Sequence, residues 1–238
     1  MNCSTLSILL PAYNEASRIV RCIEEVVSYF STTSISFEII VMDDGSSDNT
    51  FQRAQNVTHP CVFVHQSPAN EGKGRALQRA FTFAKGEWIL FLDADLDIHP
   101  SQFLPLWQQV QKTGAQVAIG SKQNAIHRTG YPAYRQTMSR SYSLIIQTLF
   151  KFPFQDTQTG IKLFHRSVLD SVFKDVQVHG YAFDLELLAR IHNNGFEIAE
   201  VPVKIQYGKK QLHITPQMIL RMLGDTMSIF WRIRFLER

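Results

Sequence analysis

The sequence predicts an α/β fold, a mostly parallel β-sheet with helices on both faces. Three observations carry this. Short apolar runs of strand length recur through the first half of the chain, and most end in a polar or acidic turn. Between them lie segments with helical spacing of apolar residues, an alternation that requires parallel strands joined by crossover helices. Apolar residues are 45% and charged residues 19% of the 238 positions, a composition that sustains a buried core and excludes general disorder.

The elements follow in order. Residues 6–10 form a first strand, stopped by Pro11, and residues 15–30 a helix with Ile19, Cys22, Ile23, Val26, Val27 and Phe30 near one face. Residues 37–42 form a second buried strand, which runs into Asp43-Asp44-Gly45-Ser46-Ser47-Asp48; Asp48 caps a helix to about Val57. A short strand at 61–65, a helix at 74–84, a strand at 88–92, a helix at 103–112 and a strand at 115–120 complete the alternation. After Gly120 the rhythm changes. A polar loop with Gly130 and Pro132 precedes a long helix at 134–150, and a loop from Asp156 leads into another short strand. Helices at 167–173 and 183–193 follow, the second stopped by Gly195, then a strand at 197–203 and a last helix at 216–236 with Pro216 in its first turn.

The charge is unevenly placed. Residues 201–238 carry seven basic side chains against Asp225 and Glu237, and the first 200 residues are slightly acidic. The last helix mixes a large apolar load with Arg221, Arg232, Arg234 and Arg238, the pattern of a helix lying on an anionic membrane surface. Residues 208–238 therefore read as a basic amphipathic extension of a domain spanning 1–207. The three cysteines show neither metal-ligand spacing nor a disulfide framework, as expected in a reducing cytoplasm. No secretory signal and no transmembrane-length apolar run is expected. The histidines lack zinc spacing, and no GxSxG motif or nucleic-acid-binding motif is present.

The chemistry gathers at strand ends, where open α/β sheets bind ligands. Asp93-Ala94-Asp95-Leu96-Asp97 follows the apolar run 88–92. Three close carboxylates repel one another unless a hard cation such as Mg2+ or Mn2+ neutralises them. Pro11-Ala12-Tyr13-Asn14-Glu15 offers an aromatic ring and polar groups to a flat base, and Asp44 can accept from a base or ribose. Asn70-Glu71-Gly72-Lys73-Gly74-Arg75 opens a helix and makes an anion site, without the spacing of a Walker A loop.

Together, LPAYNEASRI, VMDDGSSDNT, NEGKGRAL and ILFLDADLD resemble a family 2 glycosyltransferase of the GT-A fold. GSK at 120–122, Arg135 with Ser139, DTQTGIKLF at 156–164 and YAFDLELLARI at 181–191 resemble its polyprenyl-phosphate branch, which holds dolichyl-phosphate glucosyltransferases and mannose synthases. The resemblance implies that Pro11, Ala12, Tyr13, Glu15, Asp44, Ser46, Gly72, Lys73, Asp93, Asp156 and Gln158 bind the nucleotide sugar. It makes Asp93 and Asp95 the DxD pair, with Asp95 and Asp97 the metal ligands, and Lys122, Arg135 and Ser139 the acceptor-phosphate site. Asp184 falls where many family members carry a catalytic base; toward an ionised lipid phosphate it would orient other groups instead.

The expected function is inverting transfer of a hexose to a polyprenyl or dolichyl phosphate on the cytoplasmic face of a membrane, with Mg2+ or Mn2+. UDP-glucose is the favoured donor and GDP-mannose the other. The rival within the family glycosylates a hydroxyl acceptor with Asp184 as base. The rival outside it is a binding module that keeps the fold without turnover.

Overall fold

The computed structural model describes residues 5–122, 133–205 and 216–236; the side chains of 133–141, 216, 219 and 236 are not described. Seven strands form one sheet in the order β3-β2-β1-β4-β6-β5-β7. They are β1 (Leu6–Ala12), β2 (Phe37–Asp43), β3 (Val62–Gln66), β4 (Trp88–Leu92), β5 (Val117–Ser121), β6 (Ile161–His165) and β7 (Ile198–Pro202). The helices are α1 (Ile19–Ser31), α2 (Thr50–Gln55), α3 (Lys73–Phe83), α4 (Phe103–Thr113), α5 (Ala133–Phe150), α6 (Arg166–Val172), α7 (Phe183–Asn193) and α8 (Pro216–Trp231), the last continued by a π-helical turn, Arg232–Leu236.

The pleat sorts alternate side chains to opposite faces. Leu9, Ile40, Ile89, Phe91 and Phe164 pack against α3, α6, α7 and α8. Ile8, Leu10, Ile39, Val41, Leu90 and Leu163 pack against α1, α2 and α4. Both faces are covered, so the central strands read as continuous apolar runs.

Four findings adjust the sequence reading. First, the short strand expected after the Asp156 loop forms as β6, and its direction, on which the sequence reading was silent, is opposite to that of its neighbours. It runs antiparallel between β4 and β5, pairing Leu90 with Leu163 and Ala118 with Leu163. Strand type is written in the residues, but the direction in which a strand re-enters a sheet is set by where its preceding loop crosses. Second, β1 continues through Pro11 to Ala12. The β1–β4 ladder ends at Leu9–Phe91, so the missing proline N–H breaks no bond on that side. Third, α1 starts at Ile19 and not at 15, because the Glu15 and Ala16 amides donate to Thr50 Oγ1 (2.8 Å) and Asp48 Oδ2 (3.2 Å). Asp48 also accepts the Thr50 amide at 2.9 Å, but the residue before α2 is Asn49, so Asp48 stands one position ahead of the N-cap expected of it and ties the two loops instead. Fourth, α8 packs into the main core through Ile229 and Ile233. Among the described residues, no helix is long and apolar enough to cross a membrane.

Candidate active site

The order β3-β2-β1-β4 is parallel and places the topological switch between β1 and β4. The loops leaving these two strands flank the crevice where ligands of such sheets sit. Asn14, at φ +53°, donates its amide to Ser46 Oγ (2.9 Å) and accepts the Ser47 amide on Oδ1 (2.9 Å). Ser46 also donates its amide to Asp43 Oδ2 at 3.0 Å. Asp44 accepts the amides of Glu71 (3.2 Å) and Gly72 (2.8 Å), which draws the Gly-Lys-Gly loop onto the end of β2. Burial raises the Asp44 carboxyl above its usual range, against those same amides. The side chain of Ala12 lies in the core, and its carbonyl takes the Asp44 amide at 2.8 Å. Tyr13 is 44% exposed beside these loops, a ring available for stacking.

The acidic loop after β4 meets the lysine loop directly. Lys73 Nζ lies 2.7 Å from Asp93 Oδ1 and 3.6 Å from Asp184 Oδ2. Asp184, in the first turn of α7, is also 2.8 Å from the ammonium of Lys162, a buried lysine on β6 that donates to the Thr159 carbonyl at 2.6 Å. Burial alone would raise the Asp184 carboxyl, but Lys162 and Lys73 outweigh it and hold it below its usual range. Burial likewise opposes the charge on Lys73, yet Asp184 and Asp93 raise its pKa. Asp95 pairs with no ammonium or guanidinium among the described residues: burial, then the charge of Asp93, push its carboxyl up to about 6 against the more distant charge of Lys73. Its Oδ1 accepts the Asp97 amide at 3.0 Å. A desolvated carboxylate flanked by two others is a site short of positive charge, so this donor set fits a hard divalent ion. No cluster of three or more metal-ligating side chains is preformed among the described residues, so an ion here would draw further oxygens from a ligand or water.

A third group lies at the end of β5. The Lys122 amide donates to Asp156 Oδ2 (2.9 Å), its ammonium reaches the Gln158 carbonyl (3.4 Å), and the Gln158 amide donates to Asp156 Oδ1 (3.0 Å). Asp156 thus builds the 156–160 loop, and the buried Gln158 Nε2 has no hydrogen-bond partner among the described residues. Arg135 and Ser139 lie on α5, with side chains outside the described ones.

Three residues carry weight that sequence reasoning did not assign. Lys162 fixes Asp184; its signal was a lysine inside the apolar run Ile161–His165. Gly160 lies against Asp93, where a Cβ would fall 2.3 Å from Oδ2. Arg18 pairs with Glu15 at 2.9 Å and reaches the Asp95 carbonyl at 3.5 Å, joining the two loops of the crevice. Gly160 and Arg18 stand inside the motifs DTQTGIKLF and LPAYNEASRI, yet the sequence reading gives neither a role, because their roles exist only between segments distant in the chain.

A parallel half-sheet with an acidic loop at its switch point, tied through Lys73 to Asp184, defines a doubly wound α/β domain with a ligand crevice at its strand ends. Residues 7–173 match the model of glycosyl transferase family 2, and the chain belongs to that family. It is 30% identical to a dolichyl-phosphate beta-glucosyltransferase, ALG5C of Trichomonas vaginalis, over 95% of this chain and 71% of the relative. It is 31% identical to the glycosyltransferase AglD of Haloferax volcanii over 96% of this chain, which spans 37% of that longer protein. The fold matches the crystal structure of glucosyl-3-phosphoglycerate synthase from Mycobacterium tuberculosis in complex with Mn2+, UDP and glucosyl-3-phosphoglycerate. The TM-score is 0.71 at 22% identity, covering 97% of this chain and 80% of the other. This establishes the GT-A type of α/β architecture.

Proposed function

We propose that the chain transfers glucose from UDP-glucose to a polyprenyl or dolichyl phosphate, with inversion, at the cytoplasmic face of a membrane. The observation that carries this is the pairing of Asp184 with Lys162 and Lys73. A carboxylate held ionised by two ammonium groups is a weak proton acceptor. A hydroxyl acceptor needs a base, whereas a phosphate is already ionised near neutral pH. The site therefore suits a phosphate acceptor, and the dolichyl-phosphate beta-glucosyltransferase among the relatives supports the same reading.

In this reading Tyr13 stacks on the base, Pro11 and Glu15 shape its pocket, and Asp44 and Ser46 hold the loops around the ribose. Lys73, kept charged, faces the diphosphate. Asp95 and Asp97 would hold Mg2+ or Mn2+, an ion that offsets diphosphate charge when bound. Asp156 and Gln158 line the sugar, and the unpartnered Gln158 amide is available to a sugar hydroxyl. Lys122, Arg135 and Ser139 receive the acceptor phosphate. One of its oxygens forms the new bond to the anomeric carbon from the face opposite the diphosphate. The old carbon–oxygen bond breaks, and the nucleoside diphosphate departs with the electron pair. No proton has to be removed. Positioning and fixed charge supply most of the rate.

The exposed stripe of Leu220, Met227, Trp231 and Phe235 on the last helix supports the membrane part of the proposal. The test is purified protein with Mg2+ or Mn2+, labelled UDP-glucose or GDP-mannose, and dolichyl or undecaprenyl phosphate. A chromatographically lipid-linked glucose is expected. Transfer only to hydroxyl acceptors, or no transfer and no donor hydrolysis, would overturn the reading.

A further inference from the structure

Glu186 is a buried carboxylate that the proposed chemistry does not use. It lies two residues beyond Asp184 on α7 and is 0% exposed. Its Oε2 accepts the amides of Gln177 (3.0 Å) and Val178 (2.7 Å). Its Oε1 accepts Arg190 Nε (3.1 Å) and Nη2 (2.9 Å), and Arg232 Nη1 from the turn that ends the last helix (3.0 Å). One carboxylate thus joins three pieces of chain: α7, the segment before it, and the C-terminal turn.

That segment bears directly on the lysine loop. The His179 carbonyl accepts the Gly74 amide at 2.9 Å. A Cβ on Gly72 would lie 2.5 Å from the same carbonyl, and a Cβ on Gly74 would lie 2.3 Å from the Phe183 ring. Gln78, one turn further along α3, donates to the carbonyls of Phe173 (2.9 Å) and Val176 (3.2 Å). Residues 173–180 therefore press on the first turns of α3, where Lys73 reaches Asp93 and Asp184.

We infer that Glu186 and Arg232 form a positioning clamp through which the C-terminal helix sets the place of Lys73. The inference rests on Lys73 serving the donor diphosphate, as proposed above. A buried carboxylate stays where its donors hold it, and Arg232 is the donor that belongs to the last helix. Without that guanidinium, Oε1 keeps only Arg190 among the described residues, and the C-terminal turn keeps its apolar packing through Ile233 but loses its charged tie to α7. The loosened carboxylate then holds Gln177 and Val178 less firmly, and the His179–Gly74 contact shifts with them. Displacement of a charged group by about 1 Å at a reacting centre is enough to cost up to 10²-fold in rate. Arg232 is turned toward Glu186, so the exposed apolar stripe of α8 is unaltered by its loss.

The test uses the full chain carrying Arg232→Met, with Arg232→Lys as the conservative variant. Hydrogen exchange is read at three places: amides 72–76, amides 177–180 and the β2 core. Arg232→Met should speed exchange at 72–76 and 177–180 by about tenfold, in line with one lost charge-assisted hydrogen bond, and leave β2 unchanged. With UDP-glucose and dolichyl phosphate, kcat should fall by a similar factor with little change in acceptor KM, and Arg232→Lys should restore most of it. Unchanged exchange at 72–76 and 177–180, with a rise confined to 226–236, would overturn the clamp. If Arg232→Met does not fold, Glu186→Gln is read by the same exchange pattern and the same criterion. Exchange does not depend on turnover, so an absence of glycosyl transfer would remove the proposed function and still leave the clamp decided.

Discussion

Gly160 and Lys162 stand one and three residues after Thr159, on the loop and strand that enter the site, and each fixes one of its carboxylates. Lys162 is a buried lysine whose charge is met by Asp184 at 2.8 Å. Removing one member of such a pair leaves the other desolvated. Lys162→Met should therefore cost about 3 kcal/mol of stability in urea unfolding, near the lower end of the usual range because Lys73 still faces Asp184. Adding Asp184→Asn should recover part of that loss, and a double-mutant cycle with no coupling would contradict the pairing. Gly160 acts by what it lacks. With alanine there, the Asp93 carboxylate must move off its contact with Lys73. Glucosyl transfer should drop by about 10- to 100-fold in steady-state kinetics, with a much smaller change in thermal midpoint. The Asp93-Asp95-Asp97 series was legible in the sequence because adjacent carboxylates at a strand end state their own chemistry. Lys162 was legible only as an oddity, and Gly160 only as a motif member without a role, since its constraint comes from Asp93 at the end of the neighbouring strand.

Secondary elements decide how these residues meet. The lysine loop is held by β2 through Asp44, by the 177–180 segment through His179, and by the acidic loop through Lys73 itself. The antiparallel insertion of β6 brings Lys162 beneath Asp184, so the direction of a strand, which the strand–helix rhythm does not fix, completes the site. The last helix presents two faces. Thr226, Ile229 and Ile233 are buried, whereas Leu220, Met227, Trp231 and Phe235 are exposed. The buried face makes truncation a poor test of membrane binding, because it would strip the core and leave Glu186 without Arg232. Leu220→Glu with Trp231→Glu is the cleaner variant. Full-length protein should float with anionic liposomes, and this double variant should stay in the soluble fraction. Partial resistance of the binding to high salt is expected, since apolar insertion is not screened. Flotation of the double variant equal to the parent would remove the exposed stripe from the membrane role.

The two cores on opposite faces of one sheet make the switch-point crevice a fixed edge, and ligand binding there should report on the whole fold. A ligand that binds only the native state at 100 times its Kd adds about 2.7 kcal/mol. For a chain of this size that corresponds to a rise of about 5–10 °C in unfolding midpoint. UDP with Mn2+ should produce a shift of this order, and UDP or Mn2+ alone much less, because the ion and the diphosphate oxygens complete each other's coordination. Asp95→Ala should abolish glucosyl transfer and the Mn2+-dependent part of the shift while leaving the circular dichroism spectrum unchanged. Turnover of that variant in EDTA at the parental rate would remove Asp95 from the metal site.

The sequence by itself determined the α/β class, the order of strands and helices, the acidic loop after β4 and the lysine loop before α3. Each depends on local periodicity or on residues adjacent in the chain, which physical chemistry reads without knowing the partner. The tertiary structure decided the antiparallel place of β6, the ionised state of Asp184, and the joining of α8 to α7 through Glu186 and Arg232. Those depend on which distant segments share a dry interior. There a charge is set by the groups packed against it, and no window of sequence contains both partners.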